Sequence, residues 1–251
     1  MKTLLIDIET APNKAYTWGL WNQNIGLPQI VKPGYTLCWS AKWLNEPDIM
    51  FSSLHETTEL RMIKRVHKLI DEADAVVHYN GTKFDMPTLN NEFLKLKMNP
   101  PSPVMEIDLY RTVKRKFRLP SNKLDYVARH LGIKGKMSHK GMELWTGCMD
   151  GDHASWEHMK KYNIQDVILL EDVYYELLPW IPNHPNQALF DTGTVPVCPS
   201  CGGDELVRRG LAHTSTQSYQ RFVCKPCGKW SRGRTSIITP EQRPNILVGL
   251  R

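Results

Sequence analysis

The sequence has 251 residues, enough for one domain of ordinary size and a small second module. No apolar run approaches the roughly 20 residues that a membrane-spanning helix needs, so we expect no such helix. No basic and apolar leader precedes the first predicted strand, so we expect no secretory signal. The composition therefore favours a cytoplasmic protein whose six cysteines are metal ligands or reduced thiols.

The formal net charge of +6 lies mostly in the C-terminal part of the chain. Residues 183–251 contain nine Lys and Arg against four Asp and Glu, whereas residues 1–182 contain 23 against 22. A basic tail on a nearly neutral body favours a polyanionic partner through non-specific attraction.

The first predicted element is a buried strand over residues 4–10 that carries two acids. Side chains alternate along a strand, so Asp7 and Glu9 leave the same face. Two neighbouring carboxylates repel each other and lose hydration, a cost that a hard divalent cation such as Mg²⁺ relieves. The plain alternative is a strand end whose acids point into water.

The next segment, residues 11–34, is expected to be irregular because prolines and glycines interrupt it. It carries Trp18 and Trp21 among other apolar residues, either as a surface on which bases stack or as the loop's own small core. The elements that follow are predicted to be strands and helices in an α/β order, beginning with antiparallel strands. They are strands 36–43 and 48–53, helix 56–70, strand 75–79, a helix from Phe84 and strand 104–107.

Two polar residues follow the predicted strand 75–79. Asn80 begins an Asn-Gly turn, and Asp85 falls on the first turn of the next helix, at the mouth of the sheet. The helix dipole favours an acid at that position, which explains Asp85 without any function.

A strongly basic stretch, residues 111–140, contains ten Lys and Arg and only one acid, Asp125. It includes Lys114, Arg115 and Lys136, which are candidates for contacts with phosphates. A solvated face is the alternative interpretation.

A long helix is predicted over residues 156–178, ended by prolines. Tyr162 and Asp166 are four residues apart and therefore share one face beside the apolar stripe. Because Asp166 is flanked by Ile and Val residues, it needs a charge partner.

The C-terminal part contains two Cys-x-x-Cys-Gly motifs separated by 22 residues. Four thiolates in this spacing are typical of a structural zinc site, and the segment between the motifs can form a hairpin. The four ligands are Cys198, Cys201, Cys224 and Cys227.

Three motifs together resemble the DEDD superfamily of 3′–5′ exonucleases. Because a tyrosine stands four residues before the last aspartate, the sequence is similar to the DEDDy branch, which includes the proofreading domains of family B DNA polymerases. The sequence also resembles the stand-alone, RNase H-like exonucleases of phages and bacteria. The motifs are Asp7-Ile8-Glu9, Tyr79-Asn80 with Phe84-Asp85, and Tyr162-x-x-x-Asp166.

The resemblance implies an α/β fold, an RNase H-like mixed five-stranded sheet flanked by helices. We expect this domain over residues 1–182, a linker over 183–196, and a small four-cysteine zinc ribbon with a basic tail over 197–251. The implied activity is 3′–5′ hydrolysis of single-stranded DNA with two Mg²⁺ or Mn²⁺ ions, beside one structural Zn²⁺.

The implied catalytic residues are four carboxylates that hold the two ions and one tyrosine that orients the attacking water. Asp7 is shared by both ions, and Asp85 holds the second ion directly or through water. The implied catalytic set is Asp7, Glu9, Asp85, Tyr162 and Asp166. Our candidate substrate-binding residues are Asn80, Trp18, Trp21, Lys114, Arg115 and Lys136.

Two other functions stay open. The first is a 3′–5′ RNA exonuclease on the same scaffold, since nothing in the sequence visibly senses a 2′-hydroxyl. The second is a non-catalytic nucleic-acid-binding protein that works through the ribbon. For the exonuclease, the resemblance suggests replication or repair in a bacterial or phage-infected cytoplasm, with a DNA polymerase or replication protein as a partner in trans and no membrane.

Overall fold

The computed structural model describes residues 1–135, 137–138, 140–190 and 193–249. The chain divides into two compact units, Met1–Tyr174 and Tyr175–Arg251. None of the helices in the described part of the chain is both long and apolar enough to cross a bilayer.

The first unit is built on a mixed five-stranded sheet. Its strands are β1 (Thr3–Thr10), β4 (Thr36–Trp43), β5 (Ile49–Ser53), β6 (Ala75–His78) and β7 (Met105–Asp108). Two short strands between β1 and β4, β2 (Lys14–Ala15) and β3 (Ile30–Lys32), form a separate two-stranded ladder. The sheet order is β5-β4-β1-β6-β7, with β1 antiparallel to β4 and parallel to β6. This confirms the predicted sheet and its antiparallel start.

Six helices accompany the sheet in the described residues. They are α1 (Glu59–Asp71), α2 (Asp85–Lys95), α3 (Leu109–Lys116), α4 (Leu124–His130), α5 (Met142–Met149) and α6 (His153–Leu177). A short amphipathic helix over residues 122–131 is also predicted from the sequence and corresponds to α4, whereas α3 and α5 are not predicted. In α3, Asp108 caps the N-terminus by accepting from the Arg111 amide at 3.3 Å, and basic residues fill the last turn, where the helix dipole favours them.

Each face of the sheet packs against its own apolar cluster. Leu4, Ile6 and Ile8 of β1 pack with α1 and α2 on one face. The other face packs against α5 and the first half of α6 through a cluster that includes Trp156 and Tyr162. Because Asp7 and Glu9 alternate with the first set, they lie on the α6 side of the sheet.

The segment between β1 and β4 differs from its prediction. It contains the β2–β3 ladder and a 3₁₀ turn at Leu27–Gln29 instead of being wholly irregular. Trp18 is 99% exposed and Trp21 is 82% exposed, so the interpretation of these aromatics as the loop's own core is wrong. Their role as a stacking surface stays a prediction.

The second unit contains a three-stranded antiparallel sheet. Its strands are β8 (Leu206–His213), β9 (Ser218–Cys224) and β10 (Trp230–Ser236), in the order β10-β9-β8. The predicted hairpin corresponds to β8 and β9, and β10 adds a strand that was not predicted. A glycine with positive φ follows the second cysteine of each Cys-x-x-Cys motif: φ is +75° at Gly202 and +73° at Gly228. Glycine adopts this conformation readily and allows the chain to turn tightly there.

Candidate active site and zinc site

Three carboxylates converge between β1 and α6. Asp7, Glu9 and Asp166 each offer an oxygen, and these oxygens all lie within 4.8 Å of one another. Two oxygens bound to one Mg²⁺ at its usual bond length are about 3–4.2 Å apart, so the cluster is close to the spacing of ligands. Asp166 is only 1% exposed, and a charge so deeply buried favours a nearby cation. The cluster therefore fits a hard divalent ion.

An asparagine fixes the carboxylate of Asp7. The Asn163 Nδ2 donates to Asp7 Oδ2 at 2.6 Å and to the Asp7 carbonyl at 3.3 Å. The Asn163 Oδ1 in turn accepts from the Ser40 hydroxyl at 2.7 Å. Asn163 and Ser40 are both fully buried, and Ser40 is paired with Asp7 across the strands. The chain Ser40–Asn163–Asp7 holds the carboxylate in one orientation.

A tryptophan of α5 fixes Glu9 in the same way. Its indole nitrogen, Trp145 Nε1, donates to Glu9 Oε2 at 3.1 Å. The Trp145 ring also packs edge-on against Tyr162 of α6, with ring centroids 6.1 Å apart. Helix α5 therefore connects the second carboxylate of β1 with the candidate catalytic tyrosine.

Asp85 lies beside the same strand but outside the cluster of three carboxylates. The β1–β6 pairing ends at Leu5, and the Ile8 amide further along β1 donates to Asp85 Oδ1 at 3.2 Å. Burial raises the pKa of Asp85 to about 6, and a cation nearby would favour its ionised form. The carboxylate of Asp85 thus accepts a hydrogen bond from the edge of β1 in this structure.

The turn that presents Asn80 is held by buried polar contacts. The Asn80 amide donates to Asp108 Oδ1 at 3.0 Å, and the Gly81 amide donates to His78 Nδ1 at 3.1 Å. The ring proton of His78 therefore lies on Nε2, which is 3.2 Å from Glu106 Oε2. A Cβ on Gly81 would lie 2.4 Å from His78 Cγ, so only glycine fits this turn.

A cleft of about 420 Å³ opens beside Asp7. Its size is in the range of pockets that take a small ligand. Tyr79 packs edge-on against Tyr110 and donates its hydroxyl to the Asn122 carbonyl at 2.6 Å, which shapes one wall. The cleft is lined by Asp7, Tyr79, Asn80, Tyr110, Asn122, Lys123, Leu124 and Asp125.

Four further predicted substrate residues do not line this cleft. Lys114 and Arg115 are exposed at the C-terminal turn of α3, and Trp18 and Trp21 are exposed between β2 and β3. Lys136 lies outside the described residues. Among the described members of that predicted set, Asn80 is the one that lines the cleft with Asp7.

Sequence reasoning missed several residues that the structure places at the site. Asn163 directly follows Tyr162 and shares a helix face with Asp166, a spacing that can be recognised in the sequence. Trp145, Tyr110, Asn122 and Lys123 carry no comparable signal, because their positions depend on long-range packing.

The four cysteines of the second unit form a compact cluster. Their Sγ atoms lie within 4.8 Å of one another, and the Cys198–Cys227 and Cys201–Cys224 pairs are each 3.6 Å apart. Tetrahedral zinc–thiolate bonds place the sulfurs about 3.8 Å apart. The cluster therefore fits a structural zinc ion.

The sheet order and the acidic cluster define an RNase H-like protein. The family model of the RNase H superfamily matches residues 4–178, and the chain belongs to that superfamily.

The fold is also similar to a solved family B DNA polymerase from the hyperthermophilic archaeon Pyrobaculum calidifontis, with a TM-score of 0.55 and 18% identity. That alignment covers 71% of this chain but only 24% of the polymerase. No curated protein matches the sequence. Superfamily membership supports a nuclease.

Proposed function

We propose that the protein is a metal-dependent 3′–5′ exonuclease that removes nucleotides from the 3′ end of single-stranded DNA. The observation that carries this proposal is the convergence of Asp7, Glu9 and Asp166 beside an open cleft. The three come from two elements more than 150 residues apart in the chain, so the fold itself assembles the cluster. The direction of digestion rests on the resemblance to the DEDDy exonucleases.

The residues present suit two divalent cations. When bound, such ions activate water on one side of the phosphate and neutralise the leaving oxygen on the other. Asp7, Glu9 and Asp166 would hold the first ion, and Asp85 with the shared Asp7 would hold the second. Mg²⁺ and Mn²⁺ both prefer oxygen ligands of this kind.

The neighbouring side chains keep the site in position. Asn163 and Trp145 orient the carboxylates of Asp7 and Glu9 through hydrogen bonds, so these groups do not have to be ordered during the reaction. The Tyr162 hydroxyl is our candidate for positioning the attacking water. Asn80 projects from a rigid turn into the cleft and is our candidate for binding the terminal nucleotide.

The decisive experiment is digestion of oligonucleotides labelled at the 5′ end, with Mg²⁺ or Mn²⁺. The proposal expects a ladder that shortens from the 3′ end, no cleavage of circular single-stranded DNA, and little activity on duplex DNA. A matched RNA oligonucleotide tests the alternative substrate. A folded Asp7→Asn variant is the control for contaminating nucleases.

Each possible outcome has a clear meaning. Faster digestion of RNA would replace the DNA assignment while keeping the mechanism. Cleavage of the circle would overturn the exonuclease assignment, and no hydrolysis of either polymer would favour the non-catalytic binding protein. Stimulation by a DNA polymerase or replication protein, our proposed partner in trans, is measured by the same assay.

A further inference from the structure

One face of the second unit's sheet collects arginine and aromatic side chains. Along β9, side chains alternate, so Tyr219, Arg221 and Val223 share a face. The strand register adds two residues of β10 to it, since Trp230 pairs with Val223 and Arg232 pairs with Arg221. Arg209 of β8 also lies on this side of the sheet. We call the charged and aromatic residues here the arginine–aromatic face, which consists of Arg209, Tyr219, Arg221, Trp230 and Arg232.

A bulge in β8 brings Arg209 to this face. The register between β8 and β9 shifts between Arg208 and Leu211, so Arg209 and Gly210 together lie opposite the single residue Arg221. Gly210, the second residue of the bulge, has a φ of +67°, a conformation that favours glycine. The Arg221 Nε donates to the Arg209 carbonyl at 2.9 Å, which ties the two arginines together across the strands.

The guanidinium groups lie over the aromatic rings. Those of Arg221 and Arg209 are 4.8 and 5.8 Å from the centroid of the Trp230 ring. The guanidinium of Arg232 is 3.9 Å from the centroid of the Tyr219 ring. These distances are in the range of cation–π interactions, which hold the arginine side chains in place before any ligand binds.

The charge of this face is not neutralised locally. Within the part of the chain that the structure describes, none of the three arginines forms an ion pair with a carboxylate. Lys225 on the same unit, by contrast, pairs with Glu205 at 3.4 Å. Trp230 is 46% exposed although it is a large aromatic residue. Three clustered cations and an exposed ring therefore favour a ligand that offers both negative charge and flat apolar surfaces.

We propose that the arginine–aromatic face binds single-stranded nucleic acid, with phosphates on the guanidinium groups and bases stacked on Trp230 and Tyr219. A single strand supplies both parts of this recognition, because its bases are unstacked and accessible. A duplex hides its bases, and an acidic peptide leaves the rings without a partner. This proposal concerns binding by the second unit and does not depend on the proposed hydrolysis.

Binding is measured on the full chain carrying Asp7→Asn, so that hydrolysis does not consume the probe. The probe is a fluorescently labelled single-stranded DNA oligonucleotide, titrated without added divalent cations over a series of salt concentrations. Zinc content and circular dichroism confirm that each further variant is folded.

The expected results follow from the two kinds of contact. Trp230→Ala should weaken binding roughly 5- to 150-fold, the usual effect of losing one stacked base, and Trp230→Phe should restore much of it. The logarithm of the association constant falls linearly with the logarithm of the salt concentration. Arg221→Ala should make this negative slope shallower by roughly 0.7, the value for one phosphate contact with a single strand.

Arg208→Ala is the matched control, because Arg208 pairs with Phe222 and so lies on the opposite face of the sheet. It removes the same charge and should leave both the affinity and the salt slope close to those of the parent. Equal losses from Arg208→Ala and Arg221→Ala would overturn the proposal, since they would indicate attraction by net charge alone. Unchanged binding in Trp230→Ala, tighter binding of duplex DNA, or equally tight binding of polyglutamate would also overturn it.

Discussion

The strongest test of the site concerns Asn163, which donates to Asp7 and is not one of the candidate ion ligands. Asn163→Ala removes the donor that lies 2.6 Å from Asp7 Oδ2 and leaves the buried Ser40 hydroxyl without its acceptor. The Asp7 carboxylate is then able to rotate away from the orientation that suits a cation. We therefore expect a defect in metal binding as well as in the reaction rate.

The size of the effect follows from the contact that is lost. A hydrogen bond to a charged group contributes about 1.5–3 kcal/mol. With each 1.36 kcal/mol worth a factor of ten, kcat/KM should fall roughly 10- to 150-fold. Ser40→Ala removes only the hydroxyl behind Asn163, a neutral hydrogen bond of about 0.5–1.5 kcal/mol, and should lower kcat/KM by roughly 2- to 10-fold.

The assay is exonuclease activity over a range of Mg²⁺ concentrations, together with urea unfolding of each variant. Asn163→Ala should need more Mg²⁺ for half-maximal activity and should recover part of its rate when Mg²⁺ is high. Glu171→Gln is the matched control, because Glu171 joins α6 to β4 through an ion pair with Lys42 at 3.0 Å, away from the carboxylates. It should lower stability without changing the Mg²⁺ dependence.

Two results would refute this reasoning. If folded Asn163→Ala kept the Mg²⁺ dependence and kcat/KM of the parent, the hydrogen bond would not be needed to orient Asp7. If Glu171→Gln shifted the Mg²⁺ dependence as much as Asn163→Ala does, the effect would come from a general loosening of the α6–β4 contact.

Three further predictions concern other parts of the chain. Asp7→Ala should abolish hydrolysis while circular dichroism stays unchanged, and a folded variant with near-parental activity would contradict the cation assignment. Tyr162→Phe should lose only part of kcat, because the carboxylates and substrate contacts remain; a rate as low as that of Asp7→Ala would show a larger role for the hydroxyl. Metal analysis should find about one zinc per chain, and Cys224→Ser should lose it and unfold the second unit while the first stays folded; a parent protein purified without chelators and free of zinc would refute that site.

Local patterns were sufficient to predict the main elements of the sheet and the positions of several acids. The alternation of apolar and acidic residues in β1 places Asp7 and Glu9 on one face, and the spacing of four places Asp166 beside Tyr162 in α6. Both predictions depend only on the repeat of a strand or a helix, so they need no knowledge of distant contacts.

Other features depend on tertiary packing and could not be predicted in this way. The bond from Trp145 to Glu9 joins residues 136 positions apart. The strand β10 has few apolar residues and an internal glycine, so its sequence gives little strand signal. Apolar composition suggested a small core around Trp18, but composition does not reveal whether a loop folds back on itself or stays exposed.

The bulge in β8 has a consequence for the behaviour of the protein at high concentration. Both β8 and β10 are edge strands of the three-stranded sheet, and an edge strand with unpaired amides can recruit another chain and start aggregation. The register shift in β8 and the second shift between Arg232 and Ser236 in β10 interrupt the regular ladder at both edges. Arginines beside each shift add like-charge repulsion between copies. We therefore expect the register shifts and the arginines beside them to oppose edge-to-edge polymerisation of the second unit.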